Sequence, residues 1–154
     1  YLEHKLLYPV KSDVEDKVKP IPFGKAAVKR EGTDVTIVTY GHQVLDSLKA
    51  AEILAKEGVE AEVIDIRTLF PLDKETIFES VAKTHKVVLV SEEAKRGAYT
   101  AEIASVIAEE NFFELDAPIK RVGALNTPIA FATNLESYII PSVQDVVIAV
   151  KSLL

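Results

Sequence analysis

The chain has 154 residues, of which 48% are hydrophobic and 27% charged, with a formal net charge of −6 and no cysteine, methionine or tryptophan. This length and balance suit one globular domain with a sizeable core and exclude a disordered chain. The acidic balance excludes the basic face of a nucleic-acid footprint, the missing cysteines exclude a disulfide scaffold and a thiol nucleophile, and no apolar run approaches the ~20 residues that span a bilayer.

In chain order, residues 1–24 read as an interdomain linker. Prolines at 9, 20 and 22 flank a charged stretch, Lys11–Lys17, and proline removes a backbone donor and fixes φ. The opening lacks an initiator methionine and any signal-peptide pattern, so the chain is expected to be a piece of something longer. Residues 25–154 form the expected domain. A short strand at 26–30 and the turn Glu31-Gly-Thr33 lead to a β-branched strand at 34–40. The short turn suggests that the first strand runs antiparallel to the rest. Gly41 opens a helix of about sixteen residues with apolar positions at helical spacing and Gly58 as its cap. Val59–Ile66 is the next strand, and Asp73 caps a helix at 74–83. Lys86–Val90 is a continuous apolar strand, the signature of burial on both faces. A polar loop at 92–97, a helix at 99–114, a strand at 118–122, an irregular stretch at 123–140 and a helix at 142–153 complete the chain. Strands alternating with helices predict a three-layer α/β/α fold with a five-stranded, mostly parallel sheet.

Few residues carry an obvious chemistry. The stretch Glu62-Val-Ile-Asp-Ile-Arg67 runs an apolar strand into Asp65 and Arg67. A carboxylate at a strand end holds the ribose in dinucleotide-binding domains, but that fingerprint needs three glycines in the first strand–helix turn. Here only Gly41 stands there. The helix starts after Gly41 and Gly97 are anion-binding candidates by dipole and free N–H groups, with a tight-turn glycine as the plainer reading. His4, His42 and His85 have no partner at metal-ligand spacing, and no serine lies in a Gly-x-Ser-x-Gly elbow. Glu92 and Glu93 form the most site-like carboxylate pair, at the carboxyl end of a buried strand where open α/β sheets bind ligands. A solvated loop beside Lys95 and Arg96 is the competing reading.

Read together, the segments EHKLLYP at 3–9, IPFGKAAVKREGTDVTIVTYG at 21–41, AEVIDIRTLFPLDKETI at 61–77, VVLVSEEAKRG at 87–97, AEIASVIAEENFFELDAPIKRVGALNTPIAFATNLE at 101–136 and IPS at 140–142 resemble the C-terminal domain of transketolase-like thiamine-diphosphate enzymes. They most resemble the beta subunit of the decarboxylating component of 2-oxo acid dehydrogenase complexes of the pyruvate, branched-chain and acetoin type. The resemblance implies a parent that oxidatively decarboxylates a 2-oxo acid and passes the acyl group to a lipoyl group. It implies that thiamine diphosphate and magnesium are held elsewhere in that parent, with none bound by this fragment and no catalytic residue in it. The implied partners are an alpha subunit and a second beta subunit in a heterotetramer, and the subunit-binding domain of a dihydrolipoyl acyltransferase, with no nucleic acid and no membrane. Glu114, Asp116 and Leu154 are the implied partner-binding residues. Asp65, Arg67, Glu92, Glu93, Gly97 and Phe131 are the interdomain or interface candidates. Such an enzyme works in the cytoplasm, or in the mitochondrial matrix of a eukaryote. Alternatives left open are a free-standing small-molecule or anion-binding α/β domain and another transketolase-like enzyme. One departure stands out: the loop Arg96-Gly-Ala-Tyr-Thr100 has one glycine where the family often has two, which puts a close backbone approach there in doubt.

Overall fold

The structure is a computed structural model that describes residues 2–11, 13, 16–17 and 19–154. Five strands form one mixed sheet: β1 Ala27–Arg30, β2 Val35–Thr39, β3 Ala61–Asp65, β4 Val87–Ala94 and β5 Lys120–Ala124. Their spatial order is β1-β3-β2-β4-β5. β2, β3, β4 and β5 are parallel, with Val35 opposite Ala61, Thr36 opposite Val87 and Val88 opposite Lys120. β1 runs antiparallel, as the short turn suggested. Its partner is β3, however, and not the strand that turn leads to. A central β2 paired on both sides by parallel strands leaves β1 only a sheet edge, and it takes that of β3.

Helices α1 Gln43–Ala55 and α5 Val143–Lys151 cover one face, and α2 Lys74–Thr84 and α3 Tyr99–Glu110 the other. Alternation along each strand divides the core. Val35, Ile37, Val63, Val88 and Val90 face α1 and α5, while Val38, Ile64, Val87 and Leu89 face α2 and α3. Each of these larger side chains contributes about 1.5–3 kcal/mol by leaving water, so both helix layers are held by burial.

Local chemistry sets the helix ends. Gly58, at φ 84°, ends α1 in a Schellman arrangement, with Val59 N–H donating to Leu54 O (3.1 Å) and Gly58 N–H to Ala55 O (3.0 Å). Ser142 and Asp145 form a capping box on α5. Asp73 caps α2 and also ties down the chain before β1. One of its oxygens accepts from Thr76 N–H, and the other from Ala26 N–H at 2.8 Å. Burial works against its charge, but these donors and Lys25 outweigh it and hold the Asp73 carboxyl below its ordinary value. Asp73→Asn is therefore expected to cost about 1–2 kcal/mol at neutral pH. The Asp73 contribution is present above the ordinary aspartate range and lost as pH falls through the depressed value, so the gap between variant and parent in urea unfolding narrows in acid.

Four expectations need correction. β4 runs on to Ala94, so Glu92 and Glu93 belong to a strand and not a loop; past a register shift, Ala94 pairs with Ala124. The helix expected to reach 114 ends at Glu110, because Asn111 leaves helical geometry and its side chain donates to Phe78 O (3.3 Å). A 3-10 turn, Phe112–Glu114, follows, and Phe113 is exposed. The stretch expected to be irregular at 123–140 holds a short helix, α4 Thr133–Ile139. Seven residues, of which only Ile139 is buried, are too few to show a helical period. The expected linker contains a 3-10 turn at Lys5–Leu7, capped by His4. Its residues 1, 12, 14, 15 and 18 lie outside the described residues.

Candidate functional site

The carboxyl ends of the parallel strands gather Tyr40 and Gly41 after β2, Asp65 at the end of β3 with Arg67 just beyond, and Glu92 and Glu93 on β4 around a cleft of about 820 Å³. The N-terminal segment crosses this edge. His4 Nε2 stands 2.9 Å from Glu92 Oε2, and the His4 ring stacks on His42 with centroids 5.2 Å apart. His42 in turn lies 3.7 Å from Asp46. No sequence spacing connected His4 with His42. The sheet edge brings them together.

Asp65 accepts the backbone N–H of Arg67 at 3.1 Å, and Arg67 sits in the left-handed region at φ 53°. This tight turn aims the Arg67 guanidinium at the chain entering β1, where it donates to Lys25 O (3.0 Å) and Ala26 O (2.7 Å). The arginine fork thus replaces ladder hydrogen bonds at the sheet edge. Burial pushes the Asp65 carboxyl above its ordinary value, because the Arg67 N–H and nearby Lys29 compensate only in part. Glu93 accepts the N–H of Tyr99 at 2.9 Å and so caps the start of α3. Burial and the Glu93 carboxylate push the Tyr40 phenol well above its ordinary value. Gly97 has φ 83°, and a Cβ there would meet nothing within 4 Å. Its backbone conformation calls for glycine, with no close approach inside this chain.

The other candidates lie elsewhere. His85 caps α2 in the left-handed region and donates from Nδ1 to Glu114 O at 2.9 Å, while Asp116 N–H donates to His85 O at 2.9 Å. This places Glu114 and Asp116 at the amino edge of the sheet, opposite the cleft. Leu154 follows the end of α5, whose Lys151 pairs with Glu57 at the end of α1. It is exposed on that same edge. Phe131 is fully exposed in the segment after β5, and Leu125, Ile129, Leu135 and Tyr138 of the same segment are also exposed. The nine candidates therefore fall into three groups, at the carboxyl edge, the amino edge and the flank of β5.

Among the described residues, no group of three or more His, Asp or Glu side chains could hold a metal ion, and no helix is long and apolar enough to cross a membrane. The cleft presents carboxylates where a diphosphate would need cations and free N–H groups. Among the described residues, the lining of this cleft does not fit a diphosphate with its magnesium.

A family model described as the C-terminal domain of transketolase matches residues 24–146. A pyruvate dehydrogenase E1 component subunit beta from Rickettsia felis is 46% identical over 98% of this chain and 46% of its own length. A 2-oxoisovalerate dehydrogenase subunit beta from Bacillus subtilis is 44% identical over 99% of this chain and 47% of its own length. The mitochondrial pyruvate dehydrogenase E1 component subunit beta of Pisum sativum is 45% identical over 98% and 43%. The chain spans about half the length of the curated relatives it matches. Among solved structures, a split gene transketolase described as an inactive beta4 tetramer superposes with a TM-score of 0.78 at 32% identity, over 94% of this chain and 46% of that one. A 2-oxoglutarate:ferredoxin oxidoreductase from Magnetococcus marinus, at 15% identity and a TM-score of 0.55 over 83% of this chain and 19% of that one, shares the fold.

Proposed function

The chain belongs to the transketolase C-terminal-domain family, and from that premise we propose that it is the assembly domain of a 2-oxo acid dehydrogenase beta subunit. The parent reaction in this reading is oxidative decarboxylation of a 2-oxo acid by a thiamine-diphosphate enzyme, followed by acyl transfer to a lipoyl group. The cofactor and its magnesium sit in other parts of that enzyme. This chain joins an alpha subunit and a second beta subunit, and its amino edge, with Glu114, Asp116 and Leu154, meets the subunit-binding domain of the acyltransferase. The enzyme works in the cytoplasm or, in a eukaryote, in the mitochondrial matrix.

The observation that carries this reading is the flank of β5. Five large apolar side chains between Leu125 and Tyr138 stand in water, and Phe131 makes no use of the core. Large apolar side chains exposed together in one segment suit a surface that another chain covers. A fully exposed aromatic that becomes buried on association contributes about 2 kcal/mol or more. In the parent polypeptide co-expressed with its alpha subunit, Phe131→Asp is expected to weaken oligomer assembly about 30-fold or more in sedimentation. The thermal unfolding of the variant should match the parent. Unchanged assembly, or decarboxylation of a 2-oxo acid by this chain with no other subunit, would overturn the reading.

A further inference from the structure

The strand order contains a topological switch. After β2 the chain turns to α1 on one face, and after β4 it turns to α3 on the other, so the loops part between the two neighbouring strands. Crevices of this kind are where open α/β sheets take ligands. The cleft lined by Tyr40, Gly41, Glu92 and Glu93 opens there, and its volume of about 820 Å³ is that of a small-molecule site. A second observation points to the same place. Among the described residues, the buried side-chain polar atoms with no hydrogen-bond partner are Thr39 Oγ1, Tyr40 Oη, Gln43 Oε1, Ser47 Oγ and Ser91 Oγ. Of these, Tyr40 lines the cleft, while the others belong to the end of β2, the first turns of α1 and β4 without lining it. Ser91 is fully buried, and it and Glu93 neighbour the Tyr40 hydroxyl without bonding it in good geometry. An unmet buried polar atom costs about 1–3 kcal/mol, which is a reason to look for a missing partner at this point.

The charges say what kind of partner. Glu3, Asp65, Glu92 and Glu93 line the cleft against Arg67 and His4. The Arg67 guanidinium is committed to Lys25 O and Ala26 O, His4 to Glu92, and Glu3 to the Tyr8 hydroxyl. Asp65 and Glu93 each receive a backbone N–H, and neither has a cationic side chain in ion-pair contact among the described residues. Around these carboxylates the walls are apolar, built from Leu2, Ile21, Phe23, Leu69 and Phe70. Lys29 offsets Asp65 only in part, and among the described residues that line the cleft no uncommitted cation stands ready for an anion, which would meet both carboxylates. We propose that this cleft binds an ammonium or guanidinium group carried on an apolar stem, with Asp65 and Glu93 taking the charge, the Tyr40 hydroxyl orienting it, and the aromatic and aliphatic walls covering the stem. This goes beyond the assembly role and does not depend on it.

Calorimetry of the full chain at neutral pH and low salt, with phenethylammonium and its isosteres phenylacetate and phenethyl alcohol, tests the proposal. The ammonium should bind saturably and at least tenfold tighter than either isostere. Asp65→Asn and Glu93→Gln, the second of which keeps the acceptor for Tyr99 N–H, should each weaken it about tenfold, and Tyr40→Phe should weaken it less. The blocked dipeptide acetyl-Phe-Lys-amide distinguishes the source of the cation. Tighter binding than the free amine marks a basic side chain of a neighbouring polypeptide as the occupant, and weaker binding marks a small amine; either result upholds the chemistry. Absence of saturable binding by both cations, equal binding of phenylacetate, or unchanged affinity in both carboxylate variants would overturn it.

Discussion

Gly32→Ala is expected to cost at least about 3 kcal/mol, at the severe end of overpacking, and so to remove a large share of a stability on the order of 5–15 kcal/mol. Gly32 is buried in the turn that enters β2. A Cβ there would stand 2.2 Å from Glu62 N, 2.3 Å from Ala61 C and 2.5 Å from Glu60 O. All three are backbone atoms of the β3 entry, which has no rotamer to yield. The turn is also stapled to that backbone: Thr33 N–H and Asp34 N–H both donate to Glu60 O at 2.9 and 3.0 Å, and the Asp34 carboxylate accepts Glu60 N–H at 2.7 Å. A methyl group can be admitted only by parting β2 from β3. Gly58→Ala is the control. Its φ of 84° strains an alanine, but the added Cβ meets nothing, so the expected cost is about 1–2 kcal/mol. Urea unfolding that finds Gly32→Ala no worse than Gly58→Ala would show that the β2–β3 approach is looser than described.

Lys83→Met is the second large effect, and its size depends on pH. Glu62 lies on β3 with its side chain only 2% exposed, ion-paired with Lys83 and accepting Gly32 N–H at 3.3 Å. Burial by itself would raise its carboxyl, but Lys83, then Ser80, Glu31 and Gly32 N–H, hold it below the ordinary glutamate value. A carboxyl lowered on folding contributes stability that is present above its unfolded value and lost as pH falls through the folded one. Without Lys83 the desolvation remains and its chief compensation is gone. The folded carboxyl then lies above the unfolded value, and stability falls as pH rises. The variant is expected to lose about 2 kcal/mol at neutral pH. That is less than the roughly 3–5 kcal/mol of a fully buried pair, since the Lys83 side chain is 41% exposed and water already screens it. Between about pH 4 and pH 7 its stability slope should reverse relative to the parent. Glu62→Gln/Lys83→Met, which leaves no buried charge, should recover to within about 1 kcal/mol of the parent. A Lys83→Met protein with unchanged stability and slope would mean that Glu62 is solvated.

Much of this was written locally. The run at 34–40 could be read as a strand from its β-branched residues, and the continuous apolar run at 86–90 as a strand buried on both faces. Asp73 could be read as a cap because an aspartate before a helical period has a free N–H to satisfy. The Phe112–Glu114 turn and α4 could not, because each is too short for a period and its exposed side chains carry no burial pattern. Glu92 and Glu93 were misread as loop residues because polar side chains at a strand's carboxyl edge look like loop chemistry until the neighbouring strand is seen to pair there.

Periodicity, β-branching and capping chemistry were therefore enough for the α/β class and the parallel sheet, since burial repeats along the chain and is visible residue by residue. Three things needed the folded chain. β1 pairs with β3 instead of β2, His4 stacks on His42, and Asp65, Glu93 and Tyr40 share one cleft in which Arg67 and His4 are already committed to other partners. Each depends on which strand stands beside which, a property of long-range packing that no local pattern encodes, because the contacts that decide it join residues tens of positions apart.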